Sequence, residues 1–324
     1  MKACVLHAIN DLRYEEVATP ERKAGEALIE IKASGICGSD IPRVFTKGTY
    51  NFPTIPGHEF GGVIVDADDK GLVGKKCAVF PLVPCRKCVS CESGNYAQCE
   101  NYNYFGSRCD GGFAEFISAP LWNVVLAPDD LSYEEIAMAE PCAVALHSLE
   151  QAQLNAGDKV AIFGAGPIGM MIAKWAKFKG ASKVFLIDID PEKIKRAKTA
   201  GFETEITEPV DIAIEGAGVS GTLEQAVTCV KAFGTVVLMG NPAKEMTLSQ
   251  KGYWEILRKE LTLKGTWNSS YSGSRNDWAN ALACMKTLDI SGLVSHKFNF
   301  ADCHAAFNVM NDRKEYFSKV MFTN

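Results

Sequence analysis

The chain has 324 residues, of which 47% are hydrophobic and 23% charged, a composition typical of a folded globular protein that excludes disordered and fibrous classes. Its formal net charge is −5, with 34 Lys and Arg residues spread along the sequence, which disfavours nucleic acid and anionic membranes as partners. No apolar run approaches the length of a membrane-spanning helix, and Met1 leads directly into a strand-like pattern, so we expect a cytoplasmic protein whose cysteines stay reduced.

Roughly the first 120 residues contain short runs of Val, Ile and Gly separated by turn formers, and these runs predict strands at 27–33, 61–65 and 76–80. The pattern changes near residue 155, where strands and helices begin to alternate. Alternation of this kind predicts βαβ units and a parallel sheet covered on both faces. The predicted strands lie at 158–164, 183–188, 211–215 and 235–240, and the predicted helices at 167–179, 191–200 and 222–231.

The length exceeds that of a typical single domain, so we expect two. The apolar strand at 318–322 is too short to form a domain and is expected to pack against the N-terminal one. We therefore predict a β-rich domain of residues 1–149 and 290–324, and a parallel-sheet domain of residues 150–289. Between 203 and 211 the chain is too short for a parallel crossover, so a regular third strand-helix unit should be missing.

Four cysteines, Cys85, Cys88, Cys91 and Cys99, lie within fifteen residues and next to turn formers. This spacing lets one loop place four sulfur atoms tetrahedrally around zinc, which closes every coordination position and indicates a structural site. Free or disulfide-paired cysteines are the plainer alternative, disfavoured by a reducing cytosol. A zinc ribbon that binds nucleic acid is another, but the charges around these cysteines are mixed.

A second motif, Gly164-Ala-Gly166-Pro167-Ile168-Gly169, joins a predicted strand to a predicted helix, and Asp188 ends the next strand. In this setting the glycines permit a tight turn and close approach of pyrophosphate to the helix N-terminus. Asp188 would accept hydrogen bonds from the adenosine ribose and repel a 2′-phosphate, which favours NAD over NADP. A glycine turn that serves only helix packing is the alternative. Asp190 precedes Pro191, where capping the following helix is the expected role.

A third group consists of Cys37-Gly-Ser39-Asp40 and Gly57-His58-Glu59. A thiolate, an imidazole and a carboxylate can hold zinc while leaving one position open, which is the arrangement of a catalytic site. Taken alone, a buried cysteine and a core histidine are the commoner origin of such residues. The zinc loop and the dinucleotide motif in the same chain favour the catalytic interpretation.

Together these motifs resemble the zinc-dependent medium-chain dehydrogenases over essentially the whole chain. The resemblance also covers residues 110–115 and the sequence Ala139-Glu140-Pro141, which with His147 is similar to the polyol branch typified by sorbitol dehydrogenase. Residues 38–45, 81–85, 105–112 and 256–261 are similar to the galactitol-1-phosphate 5-dehydrogenases within that branch. The resemblance implies an α/β chain with a GroES-like catalytic domain, a doubly wound Rossmann domain, and an active site in the cleft.

The resemblance also implies roles for individual residues. Cys37, His58 and Glu140 would surround a catalytic zinc, with Glu59 beside it as an exchangeable ligand or a supporting carboxylate. Ser39 would pass the proton of the substrate hydroxyl group toward solvent. Cys142 competes for the third ligand position, but it does not match the family's position, and we expect it to fill the core.

The implied reaction is hydride transfer from a secondary hydroxyl group of a polyol phosphate to NAD, in a chain that holds two zinc ions. Arg43, Lys47 and Arg108 would bind the phosphate, although Asp40 and Asp110 are nearby salt-bridge partners for the two arginines. A free polyol or threonine is the alternative substrate. A non-catalytic dinucleotide or zinc-ribbon binding protein is the remaining alternative, and it would not need an open metal site.

Residues 260–267 alternate apolar and polar side chains like an edge strand. Relatives in this family pair such strands across a two-fold axis, so the resemblance implies a homodimer or homotetramer.

Overall fold

The computed structural model describes residues 1–324, which form two compact units. Residues 1–141 and 270–324 make up the first unit, and residues 142–269 make up the second. The divisions after residues 141 and 269 differ from the expected divisions after residues 149 and 289. Residues 270–289 join the first unit because their helix carries Trp278, which is buried there with its ring 5.6 Å from that of Phe80.

The first unit is built mainly from β-strands, and the predicted strands at 27–33, 61–65 and 76–80 are confirmed. From residue 1 to residue 126 its strands are β1 Lys2–Ala8, β2 Asp11–Glu16, β3 Glu26–Gly35, β4 Glu59–Ala67, β5 Lys76–Val79, β6 Leu82–Val83, β7 Asn103–Tyr104, β8 Phe116–Pro120 and β9 Val124–Leu126. Its first helices are α1 Asp40–Pro42, α2 Val89–Glu92 and α3 Tyr133–Ala137. A capping box at Ser132 and Glu135 fixes the start of α3.

The second unit contains the predicted strand and helix alternation. Its strands are β10 Lys159–Phe163, β11 Lys183–Ile187, β12 Val210–Glu215, β13 Val230–Leu238 and β14 Thr262–Gly265, all parallel, in the order β11-β10-β12-β13-β14. Its helices are α4 Ala139–Ala152, which begins in the first unit, α5 Pro167–Phe178, α6 Pro191–Thr199, α7 Ser220–Cys229 and α8 Gln250–Lys259. The Asp190 carboxylate accepts the N–H groups of Glu192 and Lys193, so the predicted cap of α6 is confirmed.

The remaining elements return to the first unit: α9 Asp277–Leu288, β15 Val294–Phe298, α10 Cys303–Asp312 and β16 Lys319–Thr323. Strand β16 pairs antiparallel with β3, which confirms that the chain terminus packs against the N-terminal domain. The resulting seven-stranded sheet has the order β15-β16-β3-β4-β5-β9, with β8 also paired to β3. The rings of Phe113, Phe300 and Phe322 lie against one another in its core.

The third strand-helix unit of the Rossmann sheet is reduced to a single β-bridge between Phe185 and Glu203, as the short 203–211 segment predicts. Glu203 exchanges backbone hydrogen bonds with β11: its carbonyl oxygen accepts from Leu186, and its N–H donates to Val184. Strand β10, the first of this sheet along the chain, lies between β11 and β12. The strand order reverses between β10 and β12, and dinucleotides bind at such a reversal. No helix of the structure is long and apolar enough to cross a membrane.

Candidate active site

One end of the large sheet brings three predicted site residues together. Strand β3 ends at Gly35, two residues before Cys37, and strand β4 begins at Glu59, directly after His58. The register pairs Gly35 with Glu59, so the two strand ends lie side by side. A ligand atom from each of Cys37, His58 and Glu59 lies within 4.8 Å of the others, and all three residues are buried or partly buried.

Lys319, at the first position of β16, reaches the same place. Its Nζ atom lies 2.5 Å from a carboxylate oxygen of Glu59 and 3.3 Å from the carbonyl oxygen of Ile36. The residue is only 5% exposed. Burial acts to lower the pKa of Lys319, but the charges of Glu59 and Cys37 outweigh it and raise the pKa above its ordinary value. Lys319 therefore supplies a positive charge inside the ligand group.

Asp40 contacts two of these ligand residues, Cys37 and His58. Its carboxylate accepts the N–H of Cys37 at 3.0 Å and a guanidinium N–H of Arg43 at 2.7 Å, and it lies 3.5 Å from Nδ1 of His58. Burial acts to raise the pKa of Asp40, but the charges of His58 and Arg43 and the Cys37 hydrogen bond lower it to about 2. An ionised Asp40 therefore places a negative charge beside Nδ1 of His58, a buried atom with no hydrogen bond in the protein.

The charges of these residues also act on the pKa values of Glu140 and Tyr104. Burial raises the pKa of Glu140 to about 7, with a contribution from Glu59 and opposition from His58. Burial also raises the pKa of Tyr104 well above its ordinary value, and the charges of Glu140 and Cys37 add to the effect. Glu140, expected as the third ligand, is not among the three residues whose ligand atoms come together; Glu59 takes that place.

The expected phosphate-binding residues have different surroundings. Arg43 is tied to Asp40 and also donates to the hydroxyl oxygen of Ser39 at 3.0 Å, which is the structural salt bridge considered as the alternative. The guanidinium group of Arg108 lies 4.2 Å from the ring of Tyr50 and 4.4 Å from that of Tyr102, with no carboxylate partner. Lys47 is exposed. Asp110 does not pair with Arg108; it accepts the N–H of Ile55.

The four-cysteine loop is also assembled. The sulfur atoms of Cys85 and Cys91 lie 4.0 Å apart, and those of Cys88 and Cys99 lie 3.9 Å apart. Zn–S bonds of about 2.3 Å place tetrahedral sulfur ligands about 3.8 Å apart, whereas a disulfide requires about 2.05 Å. Backbone N–H groups of Glu100 and Cys91 lower the pKa of Cys88 to about 6, which favours the thiolate that zinc needs. The residues therefore fit a closed zinc site.

The donor set at the sheet end fits a zinc ion as well. A thiol, an imidazole and a carboxylate are zinc ligands in proteins, and three of them leave a coordination position open. Burial acts to lower the pKa of His58, but Asp40 and Cys37 outweigh it and raise the pKa well above its ordinary value. Binding of zinc would release that proton, because metal binding requires the neutral imidazole. Cys142 is fully buried and lies outside both ligand groups.

The glycine motif has the geometry that pyrophosphate requires. Gly164 has a φ of +110°, and a Cβ atom at Gly169 would lie 1.8 Å from the carbonyl oxygen of Gly164. Both positions therefore need glycine. Helix α5 begins at Pro167, with Ile168 next, and Gly166 occupies its N-cap position, so the free N–H groups of its first turn face the loop.

Asp188 follows β11 and accepts the N–H of Ala165 at 2.8 Å. Its two carboxylate oxygens also face the N–H groups of Ile189 and Asp190 and the Nζ atom of Lys193 at 3.6 Å. Burial acts to raise the pKa of Asp188, but these hydrogen bonds and Lys193 outweigh it and lower the pKa. Lys193 reduces the repulsion that Asp188 alone would exert on a 2′-phosphate.

Two residues of the first site were missed by sequence reasoning. Lys319 lies 260 positions from Glu59 along the chain, and nothing in the C-terminal pattern distinguishes it from a surface lysine. Tyr104 belongs to a short strand of two residues. Its one available signal is that it directly precedes the segment of residues 105–112 on which the resemblance rests.

The fold and the two ligand groups define a class: a two-domain dehydrogenase that binds zinc and a dinucleotide. Sequence comparison agrees, because residues 23–129 match the family described as "Alcohol dehydrogenase GroES-like domain" and residues 167–287 match "Zinc-binding dehydrogenase". The chain belongs to the zinc-binding alcohol dehydrogenases, medium-chain enzymes that use zinc and NAD to oxidise alcohols and polyols.

The relatives include polyol dehydrogenases. The chain is 36% identical to galactitol 1-phosphate 5-dehydrogenase of Escherichia coli K12, over 93% of each chain. It is 34% identical to sorbitol dehydrogenase of Bacillus subtilis 168, over 75% of this chain and 76% of the relative.

Solved structures share the architecture. The crystal structure of galactitol-1-phosphate dehydrogenase from Escherichia coli aligns with a TM-score of 0.93 and 33% identity over 100% of both chains. A zinc-binding dehydrogenase from Sinorhizobium meliloti 1021 bound to NADP aligns at 0.91 and 26%, and an alcohol dehydrogenase from Escherichia coli CFT073 complexed with NADH at 0.91 and 27%, each over 100% of this chain and 99% of the other.

The two metal sites should have separable roles. We expect two zinc ions per chain by mass spectrometry. Cys88→Ser should lower the zinc content and the melting temperature, because it breaks a closed structural site. His58→Ala should keep the fold and lose activity, because it removes a ligand of the catalytic zinc site and leaves the structural zinc site intact. An active preparation with one zinc ion or none per chain would contradict this assignment.

Lys319 should stabilise the metal-free protein more than the zinc-loaded one. Lys319→Met leaves the Glu59 carboxylate buried without a counter-charge, which costs about 3–5 kcal/mol in the free energy of unfolding. Bound zinc replaces that charge, so the loss measured by thermal denaturation should shrink when zinc is present. Lys70→Met is the matched control, since Lys70 forms a solvent-exposed ion pair with Asp66 that should contribute little to stability, with or without zinc. Equal losses with and without zinc would refute the expected compensation.

Proposed function

We propose that this enzyme oxidises a secondary hydroxyl group of a polyol phosphate, similar to galactitol 1-phosphate, and reduces NAD. The observation that carries the phosphate is Arg108, a guanidinium group held between two tyrosine rings with no anionic partner. The match to galactitol 1-phosphate 5-dehydrogenase supports the same choice.

The chemistry requires that the hydroxyl proton leaves and that a hydride departs from the same carbon. Cys37, His58 and Glu59, with Glu140 nearby, would hold a zinc ion, and the bound ion would lower the pKa of the substrate hydroxyl group. Ser39 would receive that proton in this proposal; its hydroxyl oxygen accepts an N–H from Arg43, which leaves its own hydrogen free to turn. Glu59 is proposed as the carboxylate that exchanges between the metal and Lys319.

NAD in this proposal binds the second unit. Its pyrophosphate would lie on the loop formed by Gly164, Gly166, Pro167, Ile168 and Gly169, and its adenosine ribose would face Asp188. Both oxygens of Asp188 already accept backbone N–H groups, so its carboxylate is fixed before the cofactor arrives. Preorganisation of this kind reduces the entropy lost on binding.

Arg108 is better placed than Arg43 to hold a phosphate. Arg43 forms an ion pair with the buried carboxylate of Asp40. Moving the guanidinium group of Arg43 to a phosphate would leave that carboxylate without a counter-charge. Arg108 has no such partner, while the rings of Tyr50 and Tyr102 fix the plane of its guanidinium group. A planar guanidinium group can donate two parallel hydrogen bonds to one phosphate. The exposed Lys47 would contribute a weaker, mobile charge.

Arg108→Ala tests the substrate class. We expect the ratio of kcat/KM for galactitol 1-phosphate to kcat/KM for free galactitol to fall at least tenfold, about 1.4 kcal/mol, because only the phosphate loses a charged partner. The assay is initial-rate reduction of NAD over a panel of polyols and their phosphates.

Arg86→Ala is the matched control, because Arg86 also lies over an aromatic ring, that of Trp122, at 4.6 Å, but within the zinc loop. This variant should keep the selectivity of the unaltered enzyme. If the unaltered enzyme oxidises free sorbitol or galactitol as efficiently as their phosphates, the substrate is a free polyol and the phosphate site does not exist.

The cofactor preference depends on Asp188. We expect the unaltered enzyme to favour NAD over NADP, and Asp188→Ala to narrow that preference about tenfold because the repulsion of a 2′-phosphate is removed. Steady-state rates with both cofactors measure the ratio, and Asp190→Ala serves as the control since Asp190 caps α6. Equal efficiencies with both cofactors in the unaltered enzyme would contradict the assignment of Asp188 to the ribose.

We also propose a homodimer formed through β14, with a dimer of dimers as the larger form. The strand lies at the edge of its sheet with only β13 paired to it, and Leu263 and Trp267 nearby are 39% and 57% exposed. An unpaired apolar edge strand favours pairing with a second copy. Sedimentation at micromolar concentration should show dimers or tetramers, and monomers alone would exclude this assembly.

A further inference from the structure

Tyr104 occupies a fixed position beside the metal ligands. Its ring lies 5.7 Å from the ring of His58, at an angle of 59°. Its strand, β7, pairs with β6 through Leu82, and its carbonyl oxygen accepts the N–H groups of Ser107, Arg108 and Cys109. The backbone that carries the ring is therefore held by hydrogen bonds.

No hydrogen bond within the protein engages the hydroxyl group of Tyr104, and the residue is partly exposed. An unpartnered phenol beside the candidate metal ligands is available to hydrogen-bond a ligand. The charges that act on it come from Glu140, Cys37 and Glu59, all members of the candidate site, and from Arg43. Together with the ring contact to His58, this places the phenol among the residues of the candidate site.

We propose that Tyr104 is a specificity-determining residue, whose hydroxyl group donates a hydrogen bond to the substrate hydroxyl next to the one that is oxidised. The enzyme would thereby select vicinal diols over simple secondary alcohols. This inference rests on the proposed function, and it identifies the neighbouring hydroxyl group of the polyol as the group that the site recognises. A site built to hydrogen-bond a substrate hydroxyl rejects the analogue that lacks it, because its polar group is left unpaired.

The surroundings of Tyr104 extend this recognition toward the phosphate. The rings of Tyr104 and Tyr102 lie 6.4 Å apart at an angle of 76°, and Tyr102 in turn contacts the guanidinium group of Arg108. A continuous set of rings thus leads from His58 to Arg108. A polyol phosphate that reaches from the metal ligands to Arg108 would lie along these rings, with its intermediate hydroxyl groups beside Tyr104.

The test uses Tyr104→Phe, which keeps the ring against His58 and removes only the phenol oxygen. The substrates are 2,3-butanediol and 2-butanol, which differ by a single hydroxyl group. The measured quantity is kcat/KM for each. Where turnover is too slow, the inhibition constant of the compound against NAD reduction takes its place. We expect the preference of the unaltered enzyme for the diol to fall at least tenfold in the variant. Tyr271→Phe is the matched control, since its ring packs on Phe80 and Trp122, and it should keep that preference within twofold.

Zinc content and melting temperature of both variants show whether the hydroxyl group serves only the fold. A drop in diol preference with unchanged zinc content and melting temperature supports the proposal. An unchanged preference in Tyr104→Phe overturns it, and so does an equal drop in Tyr271→Phe. If the unaltered enzyme shows no preference for phosphates while Tyr104→Phe still lowers the diol preference, the phosphate assignment alone is overturned, so failure of the two proposals is distinguishable.

Discussion

The constraint on which the catalytic unit depends is charge balance inside a buried site. Cys37, Glu59 and Asp40 bring acidic groups to one end of the sheet, where water contributes little screening. Lys319 and Arg43 are the cations that balance them. Because a buried charge is tolerated only when it is paired, the placement of β16 beside β3 is as necessary to the site as the ligands themselves.

This balance explains why the terminal strand belongs to the N-terminal unit. Strand β16 adds Val320, Met321 and Phe322 to the core, and its first residue places its ammonium group beside Glu59. Gly35 allows the close approach, because a Cβ atom there would lie 2.5 Å from the Glu59 carboxylate. Three segments distant in sequence thus meet within a few ångströms, and each depends on the other two for its charge or its space.

The sequence was informative where the determinants are local. The cysteine loop and the glycine loop are each contained in fewer than twenty residues. The alternation of strands and helices after residue 155 follows from the spacing of apolar residues that are close together in the sequence. It was uninformative where side chains meet only after folding. Nothing in the sequence shows that the ligand atoms of Glu59, and not those of Glu140, come together with Cys37 and His58, and no periodicity distinguishes Lys319 or Tyr104. The domain divisions shifted for the same reason, since Trp278 packs on Phe80, 198 residues earlier.

The single bridge at Glu203 gives the Rossmann sheet two unlike edges. Glu203 occupies the backbone groups of Val184 and Leu186 on the outer side of β11, whereas β14 keeps its outer side free. A sheet with one free edge can extend in one direction only. If two copies join at that edge by a two-fold axis, as proposed, both free β14 edges would be used and no third copy could be added to that sheet. The sheet would then end as a closed pair and would not extend into an open fibre.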